Sequence, residues 1–297
     1  MIHLDQFNSM PNMQQLNTCI ICKKNDAVFY DKIKGSVFVQ CKRCNLIYRT
    51  NVQLKDQFRK DYFFSKDNTS NKVVNARQKL YKRELACLEK YKTSGKFFDV
   101  GCGIGRFLDF LPSSYGKYGC DVSPYAIDIA KTKYGITNVY LNTFESLDID
   151  KKFDIVYFRA SLHNTYNPLT SLIKAISILK SDGLLVIAHC NNSSGLSGRL
   201  LKSHSRPCGP ICKFFFNESS IAHLLDKAGF KLIEIANHSY WGTGYEGILD
   251  YPNLLYSGFL YRVISPFLNM LNIKYSQDNI SGPPLNKNFL HYYANKK

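Results

Sequence analysis

Two groups of residues in this 297-residue chain have types and spacings that could do chemistry. The first is the run Phe97-Phe98-Asp99-Val100-Gly101-Cys102-Gly103-Ile104-Gly105-Arg106-Phe107. An apolar strand feeds a glycine-rich turn, and a helix leaves it. A ligand lying against that turn needs glycine, because a β-carbon would collide with it. The helix N-terminus then offers free N–H groups to an anionic part of the ligand. A nicotinamide fingerprint would require glycine at position 106, where Arg106 stands; the spacing is G-x-G-x-G instead. Asp121 follows Gly101 by twenty residues, in Gly119-Cys120-Asp121-Val122-Ser123-Pro124. A carboxylate at the end of that strand can accept hydrogen bonds from ribose hydroxyls.

The second group is Cys19-Ile20-Ile21-Cys22 and Cys41-Lys42-Arg43-Cys44, with 18 residues between the pairs. That gap falls in the window of about 15–20 residues for a zinc site. Four thiolates would close a tetrahedral shell and leave no place for water, so one structural zinc is expected. The competing reading is four unrelated core cysteines. A ribbon of about 30 residues is too small to bury a core of its own, so the ion should supply most of its folding free energy. Cys208 and Cys212 form a C-x3-C without a second pair and read as loop cysteines. His189, His204, His223 and His238 share no spacing and read as structural.

The elements that must position these residues are visible as texture. Residues 1–18 are polar and read as a flexible tail, and 19–50 as the zinc ribbon. A linker and helix occupy 51–93, the helix carried by Val74, Leu80, Tyr81, Leu85, Leu88 and Tyr91 at helical spacing. From 94 to 297 short apolar runs alternate with helical stretches, the pattern of a parallel sheet with crossover helices. An aromatic insertion at about 239–285, with Tyr240-Trp241-Gly242-Thr243-Gly244-Tyr245 at its start, interrupts this before a last strand at Phe289–Ala294. It could be a lid over substrate or a packing surface.

The glycine turn and Asp121 are followed in order by Asn142-Thr143-Phe144-Glu145-Ser146-Leu147, Phe153-Asp154-Ile155-Val156-Tyr157-Phe158-Arg159 and Leu179-Lys180-Ser181-Asp182-Gly183-Leu184-Leu185-Val186-Ile187. This ordered set resembles the class I, Rossmann-like S-adenosylmethionine-dependent methyltransferases, from about Asn71 to Ile235. The resemblance implies a doubly wound α/β fold with a mostly parallel, seven-stranded sheet whose last strand is antiparallel. It places the turn Gly101, Cys102, Gly103 and Gly105 under the methionine part of S-adenosylmethionine, with Asp99 reaching its amino group. Asp121 would hold the ribose hydroxyls, Val122 would pack on the adenine, and Thr143 and Phe144 would flank it. Family members often carry an acid at the Thr143 position, and threonine supplies no charge.

With its N-terminal ribbon the chain is similar to a bacterial branch of tailoring enzymes that modify sugars, surface glycans and other small metabolites. In that branch an aromatic pair, here Tyr62-Phe63, helps cover the cofactor. An acid–histidine pair commonly precedes the proline that is Pro168 here; this chain has His163-Asn164. His163 could face the transferred methyl as a base or only shape the loop.

Composition bounds what remains. Hydrophobic residues are 45% and charged residues 21%, which suits a globular protein and excludes a disordered one. The net charge is +16, of which +10 falls before Gly95. A small-molecule or glycan methyltransferase is the leading expectation. An RNA methyltransferase using the basic ribbon against phosphates is the alternative, and a non-catalytic cofactor-binding protein the third. Met1-Ile2-His3-Leu4-Asp5-Gln6 does not read as a signal peptide and no run reaches a membrane span of about 18 apolar residues. The cytoplasm and reduced cysteines are therefore expected, and the oligomeric state is left open.

Overall fold

Local signals start and stop most helices. Ser123 caps Pro124–Thr132 by accepting from the Ala126 N–H, with proline in the first turn where its missing N–H costs nothing. Asn167 accepts from the N–H groups of Leu169 and Thr170 at the start of Pro168–Ile178. Asn217 and Ser220 form a reciprocal capping box for Glu218–Ala228, and Gly229, at φ 87°, ends it. The structure is a computed structural model; it describes residues 13–15, 18–33, 35–53, 71–195, 198–199, 202–204, 212–236 and 289–297. Tyr62-Phe63, Cys208, the Tyr240–Tyr245 cluster and the expected 239–285 insertion lie outside the described residues.

The helices are α1 (Asn71–Glu89), α2 (Arg106–Phe110), α3 (Pro124–Thr132), α4 (Pro168–Ile178) and α5 (Glu218–Ala228). The strands are β1 (Met13–Gln15), β2 (Ala27–Ile33), β3 (Ser36–Cys41), β4 (Ile47–Arg49), β5 (Asn51–Gln53), β6 (Gly95–Val100), β7 (Tyr115–Asp121), β8 (Val139–Leu141), β9 (Phe153–Arg159), β10 (Leu179–Asn191), β11 (Phe214–Phe215), β12 (Phe230–Ala236) and β13 (Phe289–Lys296). Seven strands form one sheet in the order β12-β13-β10-β9-β6-β7-β8. Strands β10, β9, β6, β7 and β8 are mutually parallel, and β13 runs antiparallel to both its neighbours. This is the Rossmann-like methyltransferase topology.

Side chains alternate across this sheet, so consecutive residues feed opposite cores. Phe97, Ile155 and Tyr157 face Leu88, Phe107, Leu108 and Ile127 on one side. Phe98, Val156 and Phe158 face the other side, and there the partners include Ile20, Ile21, Leu46 and Tyr48 from the cysteine-bearing segment. The ribbon therefore shares its core with the catalytic half.

Two features differ from the sequence expectation. Within the stretch read as a loose tail, Met13–Gln15 pairs antiparallel with Asn51–Gln53. The ribbon sheet, order β11-β4-β3-β2, is also completed from outside residues 19–50: Phe214 pairs with Tyr48 and Phe215 with Ile47. Among the described residues no helix is long and apolar enough to cross a membrane.

Candidate cofactor site and cysteine cluster

The C-terminal ends of β6, β7 and β9 open onto a cavity of about 350 Å³, in the lower range of small-ligand pockets. Its lining includes Asp99, Gly101, Cys102, Gly103, Asp121, Val122, Thr143 and Phe144, which the sequence had grouped. The turn is left-handed at Gly101 (φ 75°) and Gly103 (φ 55°), conformations that favour glycine. A β-carbon on Gly101 would stand 2.7 Å from the Ser161 Cβ, another cavity residue.

The carboxylates are arranged differently. Asp121 Oδ2 accepts from the Gly103 N–H at 2.9 Å and Oδ1 from the Ser123 N–H at 2.9 Å, which ties the turn to the end of β7. Burial raises the Asp121 pKa against these backbone bonds. Asp99 is buried, and its Oδ1 has no hydrogen-bond partner among the described residues. Burial, reinforced by Glu84 and Asp121 and opposed by Arg159, pushes the Asp99 carboxyl up to about 7. An ammonium entering the cavity would satisfy that oxygen and restore its charge. The donor set thus fits the amino group of S-adenosylmethionine.

Two residues grouped with the site by sequence do not reach the cavity lining. Gly105 caps α2 at φ 80°, and a β-carbon there would meet Ile136 Cδ1 at 2.8 Å and Ala130 Cβ at 3.2 Å. Its glycine is required by packing between the turn and α3. His163 is buried, and burial lowers its pKa to about 4. Its neighbours Asn164, Thr165 and Tyr166 line the cavity in its place. The short 3-10 turn Leu162–Asn164 directs the imidazole into the protein and the following residues toward the opening.

Sequence reasoning missed a buried ion network on the cavity wall. Glu84 accepts from Arg159 Nε and Nη2, each at 3.0 Å, from the Tyr157 hydroxyl at 2.9 Å, and bonds His189 Nε2 at 2.6 Å. Although burial works against its charge, Arg159 and His189 hold the Glu84 carboxyl well below the usual carboxylate range. The Arg159 guanidinium lies 4.8 Å from the Tyr81 ring centroid and lines the cavity. The signal was available: Glu84 falls between Leu80 and Leu88 on the apolar stripe of α1, where a charge needs a partner.

The second group assembles as its spacing predicts. The β2–β3 hairpin brings the cysteine pairs together, with Cys19 and Cys44 sulfurs 3.4 Å apart and Cys22 and Cys41 sulfurs 3.3 Å apart. All four sulfurs lie within 4.8 Å of one another. Bonds of about 2.3 Å in a regular tetrahedron would set sulfurs about 3.8 Å apart, so the cluster is compatible with one zinc ion. The hydrogen bond between the Cys19 and Cys44 thiols pulls the Cys19 pKa down and pushes that of Cys44 up, so the two do not ionise together without a cation.

A glycine-turn cavity at the carboxyl ends of the β8-β7-β6-β9-β10-β13-β12 sheet defines a nucleoside-cofactor α/β domain. Residues 74–235 match the family described as "Methyltransferase domain", and the chain belongs to that family. It is a S-adenosylmethionine-dependent methyltransferase. An uncharacterized protein of Methanocaldococcus jannaschii is 28% identical over 161 residues, 52% of this chain and 74% of that protein. A S-adenosylmethionine-dependent methyltransferase of Thermotoga maritima has the same fold, with a TM-score of 0.51 at 21% identity over 73% of this chain and 89% of that one. One from Archaeoglobus fulgidus is 22% identical, with a TM-score of 0.49 over 74% of this chain and 94% of that one.

Proposed function

We propose that this methyltransferase acts on a small metabolite, sugar or glycan in the cytoplasm, and belongs to the branch with an N-terminal zinc ribbon. The observation that carries the reading is the orphaned Asp99 carboxylate oxygen on the wall of a cavity of about 350 Å³. That volume suits a nucleoside cofactor. Asp99 would engage the cofactor's amino group, Asp121 the ribose hydroxyls, and Gly101, Cys102 and Gly103 its methionine arm. Val122, Thr143 and Phe144 would enclose the adenine. S-adenosylmethionine, when bound, supplies an activated methyl on sulfur.

The chain's own work is alignment and exclusion of water. Arg159, clamped by Glu84, keeps the wall rigid, and Tyr166 at the opening screens the reacting atoms. A base is needed only for an acceptor that must lose a proton. Cys19, Cys22, Cys41 and Cys44 would hold one structural zinc. The division into a ribbon over 19–50, a linker and helix over 51–93 and a catalytic domain from 94 onward is a functional one, since the two ends share a core.

The test is cofactor affinity. Asp121→Ala should weaken S-adenosylmethionine binding by more than about tenfold, because hydrogen bonds to a charged group contribute roughly 1.5–3 kcal/mol each. Unchanged affinity by calorimetry would remove Asp121 from the site. RNA is a second reading, favoured by Phe29 at 55% exposure on β2, a strand that also exposes Lys32. A steep salt dependence of binding to bulk RNA would select it.

A further inference from the structure

Lys213 is the one buried lysine among the described residues, only 2% exposed, and its Nζ has no hydrogen-bond partner there. Its backbone joins two parts of the molecule. The Lys213 N–H donates to the His163 carbonyl at 3.1 Å, and its carbonyl accepts from the Arg49 N–H at 2.9 Å. The ammonium sits 3.9 Å from the centroid of the Tyr166 ring, and Tyr166 is 44% exposed and lines the cavity. Glu145, the carboxylate whose field favours the charged lysine, accepts from the Ser171 hydroxyl at 2.6 Å and makes no ion pair with Lys213. The positive charge of Arg49 works against that of Lys213.

A buried ammonium without an anion is costly, and a packing role alone would be met better by an apolar side chain of similar length. Such a cost persists where the charge awaits a ligand. We propose that Lys213 forms an anion subsite under the Tyr166 ring that receives a carboxylate or phosphate group of the methyl acceptor. The subsite deepens the small-molecule reading above and rests on it. Burial lowers the Lys213 pKa to about 8, which still leaves it mainly cationic at neutral pH. Tyr166 lines the cavity and covers the ammonium, so the subsite opens when its ring rotates away. Ribbon and catalytic domain then meet at the point where the acceptor is fixed.

The test compares the full-length protein with Lys213→Met and Tyr166→Ala, reading melting temperature in sodium chloride, inorganic phosphate and succinate at equal ionic strength. Wild type should melt higher in phosphate or in succinate, and whichever acts identifies the anion. Lys213→Met should melt higher than wild type in chloride and lose the anion response. Tyr166→Ala should respond at anion concentrations lower by about threefold or more, since no ring need be displaced. Absence of an anion response in wild type, its survival in Lys213→Met, or a destabilised or unfolded Lys213→Met would each overturn the subsite. Calorimetry with S-adenosylmethionine on the same samples separates the two readings. Its affinity should be unchanged in Lys213→Met, whereas a wild type that binds anion but no cofactor refutes the cofactor assignment alone.

Discussion

The cavity and the cysteine ribbon are built on opposite plans. The cavity is assembled mostly from consecutive strand and turn units between Asp99 and Tyr166, with Arg77, Leu80 and Tyr81 added from α1. The ribbon's metal-spaced cysteines are equally local, but its sheet and core are not. Its fourth strand comes from Phe214–Phe215, stacked through Phe215 on Phe38 at 4.5 Å, and Asn217 Nδ2 reaches back to the Asn45 carbonyl at 3.1 Å. A module that looks separable in sequence is thus one wall of the catalytic domain. The expectation that the ion alone must hold about 30 residues together gives way to a shared core.

The largest test of that contrast is metal loss. Cys41→Ser should shed the metal and lower global stability by at least about 3 kcal/mol, because opening the ribbon exposes Phe98, Val156 and Phe158 behind it. Metal analysis with chemical denaturation checks this. A single metal-free transition at the wild-type midpoint, or proteolysis confined to residues 19–48 with an unchanged catalytic core, would restore the separable module.

A smaller effect belongs to the cavity. The folded Asp99 carboxyl, at about 7 against 3.8 when unfolded, binds its proton more tightly in the native state. The empty protein should therefore lose stability as pH rises from about 4 to about 7, by on the order of 4 kcal/mol. Asp99→Asn should flatten that dependence and weaken S-adenosylmethionine, whose binding to wild type should strengthen as pH rises through 7. A cofactor affinity equal in Asp99→Asn and wild type at pH 8 would count against the pairing.

The smallest effect is expected at His163. With its imidazole turned away from the cavity lining, His163→Asn should change turnover by less than about threefold, whereas loss of a general base costs about 10²–10⁴. Single-turnover rates decide it.

Elements with a period and a cap were legible at once. α1, α3, α4 and α5 and strands β6 to β10 and β12 follow the apolar pattern and their Ser123, Asn167, Asn217 and Gly229 boundaries. β11 was not legible, because two residues carry no period and their partners stand over 160 positions earlier. Gly105 shows that one residue type can serve two needs, since its glycine is also demanded by contact with Ile136 and Ala130, which the motif does not reveal. Lys213, heading Lys213-Phe214-Phe215-Phe216, gave no sign that a charge so placed would be buried.

What the sequence determined by itself was every feature set by neighbours along the chain: the glycine turn, the acids at the ends of β6 and β7, the cysteine spacing and the helix caps. Their physics is short-ranged, resting on backbone sterics and hydrogen bonds within a few residues. Only the tertiary structure decided which polar groups lose water. Glu84 finds Arg159 and His189, Asp99 Oδ1 and Lys213 Nζ find no hydrogen-bond partner among the described residues, and His163 turns inward, because desolvation depends on what strands and helices far apart in sequence bring against each side chain.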